Sequence, residues 1–176
     1  MKFPVFLLAA LLCIVASRAE EPTSFEVGGL KFARPAEWKW IEVTSPMRKA
    51  QLKVPGSTPE QSADITFFHF GAGGAGGDVN ANVQRWLMQF RSPEGASKTE
   101  PQEISGTKVT VVSTEGTFSS GMPGGPATQL ENYALLGAII EGPEGNVFVK
   151  MTGPATLVKS SREKFLAFIT AAIPKK

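Results

Sequence analysis

The 176-residue chain carries 18 Lys+Arg against 16 Asp+Glu, one histidine and one cysteine. That length suits one domain with a sizeable core. A single cysteine excludes a disulfide framework, and so small a basic excess argues against a nucleic-acid binder, which must neutralise phosphates.

Residues 1–19 have the three parts of a secretory signal peptide. Lys2 gives a positive start, Phe3 to Ala16 is uncharged and mostly apolar, and Ser17-Arg18-Ala19 puts small residues at −3 and −1 of a cut before Glu20. The apolar run is shorter than the about 20 residues of a membrane span. We therefore expect cleavage before Glu20 and a single globular domain over residues 20–176, periplasmic or secreted. The alternatives are a retained N-terminal helix or a lipid anchor at Cys13, although Leu12 stands where a lipidated cysteine would follow a small residue. Cleavage would remove Cys13, Lys2 and Arg18, taking the 18 basic residues to 16 against 16 acidic ones. A thiol-free, neutral chain has no disulfide, thiolate metal site or cysteine nucleophile.

Ser24-Phe25-Glu26-Val27 and Leu30-Lys31-Phe32 alternate around Gly28-Gly29, the pattern of a β-hairpin, which Pro35 ends. Trp38 to Val43 alternates again, with Trp38, Trp40 and Glu42 on one side. Ala50 to Val54 is a further strand, stopped by Pro55-Gly56. Ala63 to Phe70 carries Ile65, Phe67 and His69 on one face and Thr66, Phe68 and Phe70 on the other, as a central strand covered on both sides would. A glycine loop, Gly71 to Gly77, leads into a helix with Val79, Val83, Trp86, Leu87 and Phe90 on one stripe. Asp78 is placed to cap it, and Asn82, Arg85 and Gln89 form the opposing polar face.

A short strand near Gln102 to Ile104, a turn at Ser105-Gly106 and a long strand from Lys108 to Phe118 follow. Gly121 to Gly125 is a second flexible loop. Asn132 to Ile140 and Asn146 to Thr152 form a last hairpin, and Ser160 with Glu163 reads as a capping box for a C-terminal helix with Phe165, Phe168, Ile169 and Ala172 on one face. Turn-joined strands predict a largely antiparallel sheet, and two amphipathic helices must bury their stripes against it. The expected class is α+β.

The run Gly28 to Trp40, with Arg34-Pro35-Ala36-Glu37-Trp38 at its end, resembles the opening of PsbP-like and DcrB-like exported domains. Val147-Phe148-Val149-Lys150-Met151 and the closing helix are also similar to theirs. Ser45 to Gln51 and Asn82 to Trp86 resemble uncharacterised exported bacterial proteins. The resemblance implies an α-β-α sandwich around an antiparallel sheet. It also implies a place among accessory and assembly proteins, many of them without known activity. It carries over no catalytic residue.

Gly71-x-Gly73-x-x-Gly76 sits between a strand and a helix, as a dinucleotide loop would. Asp78, however, puts negative charge where a pyrophosphate would lie, and the segment Glu100 to Ile104 is a poor match for a ribose-binding strand. We expect a surface loop and no cofactor. His69, the only histidine, cannot build a multi-histidine zinc site, and no clustered-aspartate calcium loop exists because Asp64 and Asp78 are the only aspartates. A Ser-His-Asp site would need His69 with Asp64 or Asp78, and no Gly-x-Ser-x-Gly elbow is present.

Trp38 and Trp40 read either as a stacking platform for a sugar or peptide or as core. Arg48, Asn82 and Arg85 read either as a polar patch or as solvated surface. The expected function is therefore an exported, monomeric, non-enzymatic domain that binds an envelope protein or a small ligand. Its candidate contact residues are Trp38, Trp40, Arg48, His69, Asn82 and Arg85. The alternative is a hydrolase using His69 or carboxylates brought together by folding.

Overall fold

The computed structural model describes residues 21–73, 77–121 and 126–175. The expected leader, Cys13, and the centres of both glycine loops (74–76 and 122–125) lie outside the described residues.

Ten strands and three helices make up the described chain: β1 (Ser24–Val27), β2 (Leu30–Ala33), β3 (Lys39–Ile41), β4 (Arg48–Val54), β5 (Ala63–His69), α1 (Val79–Leu87), β6 (Phe90–Arg91), β7 (Lys98–Ile104), β8 (Thr107–Ser120), β9 (Thr128–Ile140), β10 (Val147–Pro154), α2 (Ala155–Ser160) and α3 (Arg162–Ala172). β1 and β2 form a separate two-stranded hairpin, with Gly28 and Gly29 at φ 56° and 75° in its turn. Positive φ at both central residues is what a two-residue turn matched to strand twist demands, so glycine belongs there. The remaining strands form one antiparallel sheet in the order β3-β4-β5-β10-β9-β8-β6, with β7 also paired to β8.

Alternation sends each strand's side chains to opposite faces. On one face, Leu52, Ile65, Phe67, Leu136 and Val149 pack against the β1–β2 hairpin and α3. Phe168 of α3 is the hub, its ring 5.4 Å from Phe32 and 5.2 Å from Trp38. On the other face, Val83 and Trp86 of α1, with Phe90, pack on Val112, Leu135, Ile139 and Phe148. The molecule is therefore an α+β fold, as the strand and helix pattern predicted, with the α-β-α layering that the PsbP-like resemblance implied.

Several elements depart from the sequence reading. α1 ends at Leu87, and Phe90 belongs instead to β6, which pairs with Phe118 of β8. β7 is longer than expected and contains Pro101, which an edge strand tolerates because its missing N–H faces no partner. The capping box is not formed. Ser160 ends α2 by donating to the Leu157 carbonyl at 3.0 Å, and Ser161 separates α2 from α3 without a side-chain cap. Asp78 does cap α1, its Oδ1 accepting from the Ala81 N–H at 2.6 Å.

Candidate functional site

α1 is short, and it covers only part of its face of the sheet. Its position is set by Trp86, whose ring lies over Gly137 of β9; a Cβ on Gly137 would stand 2.2 Å from the indole. Below the helix, the strands present Arg48 and Gln51 from β4, Asp64, Thr66 and Phe68 from β5, and Phe148, Lys150 and Thr152 from β10. All of these but Gln51 line a groove in two lobes. One, about 160 Å³, lies between the sheet and α1 and is lined by Met47, Phe68, Phe70, Asn82, Arg85, Trp86, Gln89, Phe148 and Lys150. The second, about 260 Å³, runs toward the β8–β9 hairpin past Arg48, Asp64, Thr66, Phe118, Tyr133 and Thr152. Phe68 and Lys150 line both lobes.

Lys150 stands in the middle of the sheet, paired with Thr66 on β5 and Gly137 on β9. Burial is the first cause that pushes its ammonium down, from 10.5 to about 8, and the positive charge of Arg48 is the second. Its Nζ donates to Gln89 Oε1 at 3.0 Å. Arg48 Nη1 donates to Gln51 Oε1 at 2.7 Å, and Arg85 Nη1 donates to Asn82 Oδ1 at 2.8 Å. Each of the groove's three cations is thus held by a side-chain amide. Among the described residues, no carboxylate lies within 4 Å of any of them.

Several cations outside the groove do meet carboxylates. Arg34 meets Glu21 at 3.3 Å, Arg162 meets Glu100 at 3.0 Å, and Lys159 and Lys164 meet Glu115 and Glu37. Asp64, the carboxylate within the groove, faces Lys53 at 3.8 Å and accepts from Gln51 Nε2 at 3.3 Å. An amide oxygen orients a cation without cancelling its charge, so the groove keeps a positive field. In a second cavity of about 300 Å³, between β7 and α2, Glu115 and Glu100 match Lys159 and Arg162, which leaves Lys98 as its unmatched cation among the described residues.

The six sequence candidates divide between the two faces. Arg48, Asn82 and Arg85 line the groove. Asn82 is 3 % exposed and donates from Nδ2 to the Asp78 carbonyl at 2.7 Å, so it is not part of a solvated helix face as expected. Trp38, Trp40 and His69 lie outside the groove's lining. Trp38 is buried against Phe168. Trp40 packs its ring 5.2 Å from Phe25 and donates from Nε1 to Glu42. The two tryptophans therefore form no shared exposed platform. His69 sits at the end of β5 beside Gly28, its Nε2–H donating to the Glu144 carbonyl at 3.0 Å.

His69 and Asp64 are five residues apart on β5, roughly 17 Å at strand spacing, and on opposite faces. Asp78 is occupied as the cap of α1. Sequence reasoning passed over Lys150, Gln89 and Gln51. The available signal was a lysine inside the apolar run Val147 to Met151, where a strand covered on both faces has no solvent to offer it.

No family model matches the chain, and no curated protein matches it in sequence. Among solved structures it is similar to cyanobacterial PsbP (CyanoP) from Synechocystis sp. PCC 6803. That likeness has a TM-score of 0.53 and 10% identity, and covers 90% of this chain and 95% of that one. It is also similar to a protein of unknown function from Pseudomonas aeruginosa, with a TM-score of 0.48 and 14% identity, over 88% of this chain and 97% of that one. The fold is thus PsbP-like.

Proposed function

We propose that the chain is an exported, non-enzymatic binding domain that receives the anionic group of a ligand or partner in the groove beside α1. The observation that carries this reading is the set of three amide-held cations, Arg48, Arg85 and Lys150. Lys150 is the enclosed member of the set, and its desolvation outweighs an amide hydrogen bond, whereas Arg48 and Arg85 are exposed and add positive charge at the groove's edge. An arriving anion supplies the missing charge. Catalysis by His69 finds little support, since its Nε2 is engaged by a main-chain carbonyl and both aspartates are occupied elsewhere.

Export rests on residues 1–19, with the folded domain acting in the periplasm or outside the cell as a monomer or an accessory factor. N-terminal sequencing of the exported product should start at Glu20, and a product retaining Met1 overturns that part. Binding is tested by thermal denaturation of the purified protein against a panel of small anions and their neutral analogues. We expect anions to raise Tm in the wild type and not in Lys150→Met, with the compounds recovered unchanged. Equal stabilisation of both proteins, or conversion of a compound, contradicts the reading.

A further inference from the structure

We infer that the groove's ligand is an amphiphilic anion, with a carboxylate or phosphoryl head at Lys150 and Arg48 and a ring-sized apolar body in the lobe under α1. This inference rests on the groove being a binding site and adds the class of ligand.

The head position follows from the convergence of charge. Lys150 and Arg48 line the same lobe, and the side-chain partners of their cationic groups are amides that lie outside its lining, Gln89 and Gln51. Their mutual repulsion is strong enough to contribute to the lowered proton affinity of Lys150. An anion with two or more oxygens placed between them relieves that repulsion and receives charge-assisted hydrogen bonds from both. Thr152, on the same face of β10 as Lys150, adds a buried hydroxyl with no hydrogen-bond partner of its own. Asp64 also lines this lobe, with its carboxylate engaged by Lys53 and Gln51.

The body position follows from the other lobe. Its apolar walls are Phe68, Phe70, Phe148, Trp86 and Met47, beside the polar Asn82, Arg85, Gln89 and Lys150. A volume of about 160 Å³ corresponds to roughly five waters at about 30 Å³ each, or to one six-membered ring with a linking carbon. Water in that lobe would face aromatic surface, so a free inorganic anion would leave it poorly solvated. Met47 stands at the rim with 61% of its surface exposed, a flexible thioether able to fold over an incoming ring. Phe68 and Lys150 line both lobes, so a head and a body joined in one molecule can occupy the two together, which suits an arylalkyl acid or phosphate monoester.

Titration calorimetry with five probes tests this: phenylacetate, phenylphosphonate, acetate, inorganic phosphate and benzyl alcohol. At least one of the two aryl anions should bind about tenfold or more tightly than acetate, phosphate and benzyl alcohol. Whichever aryl anion binds more tightly identifies the head as carboxylate or phosphoryl. Lys150→Met should lose about tenfold or more in affinity for that probe. Met47→Ala, at an exposed site with little bearing on folding, should weaken the aryl anions about two- to fivefold and leave acetate and phosphate unchanged. If inorganic phosphate or acetate matches the aryl anions, the amphiphile is wrong although the anion groove stands. If no anion binds and Lys150→Met alters nothing, both readings fall.

Discussion

At the residue scale, Lys150 links stability to binding. Its proton affinity falls from 10.5 to about 8 on folding, which corresponds to roughly 3 kcal/mol between the ammonium in water and in the groove. The groups facing it are Arg48 from β4, Asp64 from β5, Arg85 and Gln89 from the α1 side, and Tyr133 from β9. Because the folded value lies below the unfolded one, the unfolded chain holds more protons between pH 8 and 10.5. Stability attributable to Lys150 therefore rises with pH across that window, and its cost is constant and largest below pH 8. Urea unfolding should find Lys150→Met about 1–3 kcal/mol more stable than wild type at pH 7, with the gap closing by about pH 10.5. A variant less stable than wild type at pH 7 would mean that the ammonium is already compensated.

At the element scale, α1 forms one wall of the groove, and its placement depends on an absent side chain. Gly137 is the neighbour of Lys150 across the β9–β10 ladder and leaves space for the Trp86 ring. Gly137→Ala must push the indole and the helix off the sheet, at about 1–3 kcal/mol of stability. Arg85 moves with the helix, so the variant should also bind anions more weakly. Unfolding and binding curves for Gly137→Ala measure both effects.

Much of this layer was legible from sequence. The Gly28-Gly29 turn, the Asp78 cap and the two-faced β5 are local patterns that announce themselves within a few residues. What was not legible depended on long-range partners. Phe90 fits the helical stripe but is captured by Phe118 in a strand pair. Asn82 looks solvent-facing on a helical wheel, yet its amide is buried between the Asp78 carbonyl and Arg85. Arg48 and Arg85 could be suspected as a patch, but their convergence on Lys150 is set by the sheet order β4-β5-β10. No spacing in the chain encodes that order.

At the scale of the whole molecule, the two faces of the sheet do different work. One is closed by the β1–β2 hairpin and α3, where Phe168 gathers Phe32, Trp38 and Phe67 into the main core. On the other, among the described residues, α1 packs over Val112, Leu135, Ile139 and Phe148, and the groove lies beside it. A PsbP-like scaffold can carry such a groove without altering its core, since the residues of the two faces alternate along the same strands. On the proposed reading, Lys150 is a charge waiting for an anion. The most direct test is a carbon-13 NMR titration of the lysine side chains, with the Lys150 signal assigned by its loss in Lys150→Met. The signal should titrate near pH 8 in the free protein and move upward by about one unit or more at saturating phenylacetate or phenylphosphonate. A Lys150 signal that titrates with the surface lysines near pH 10.4 and ignores both anions contradicts it.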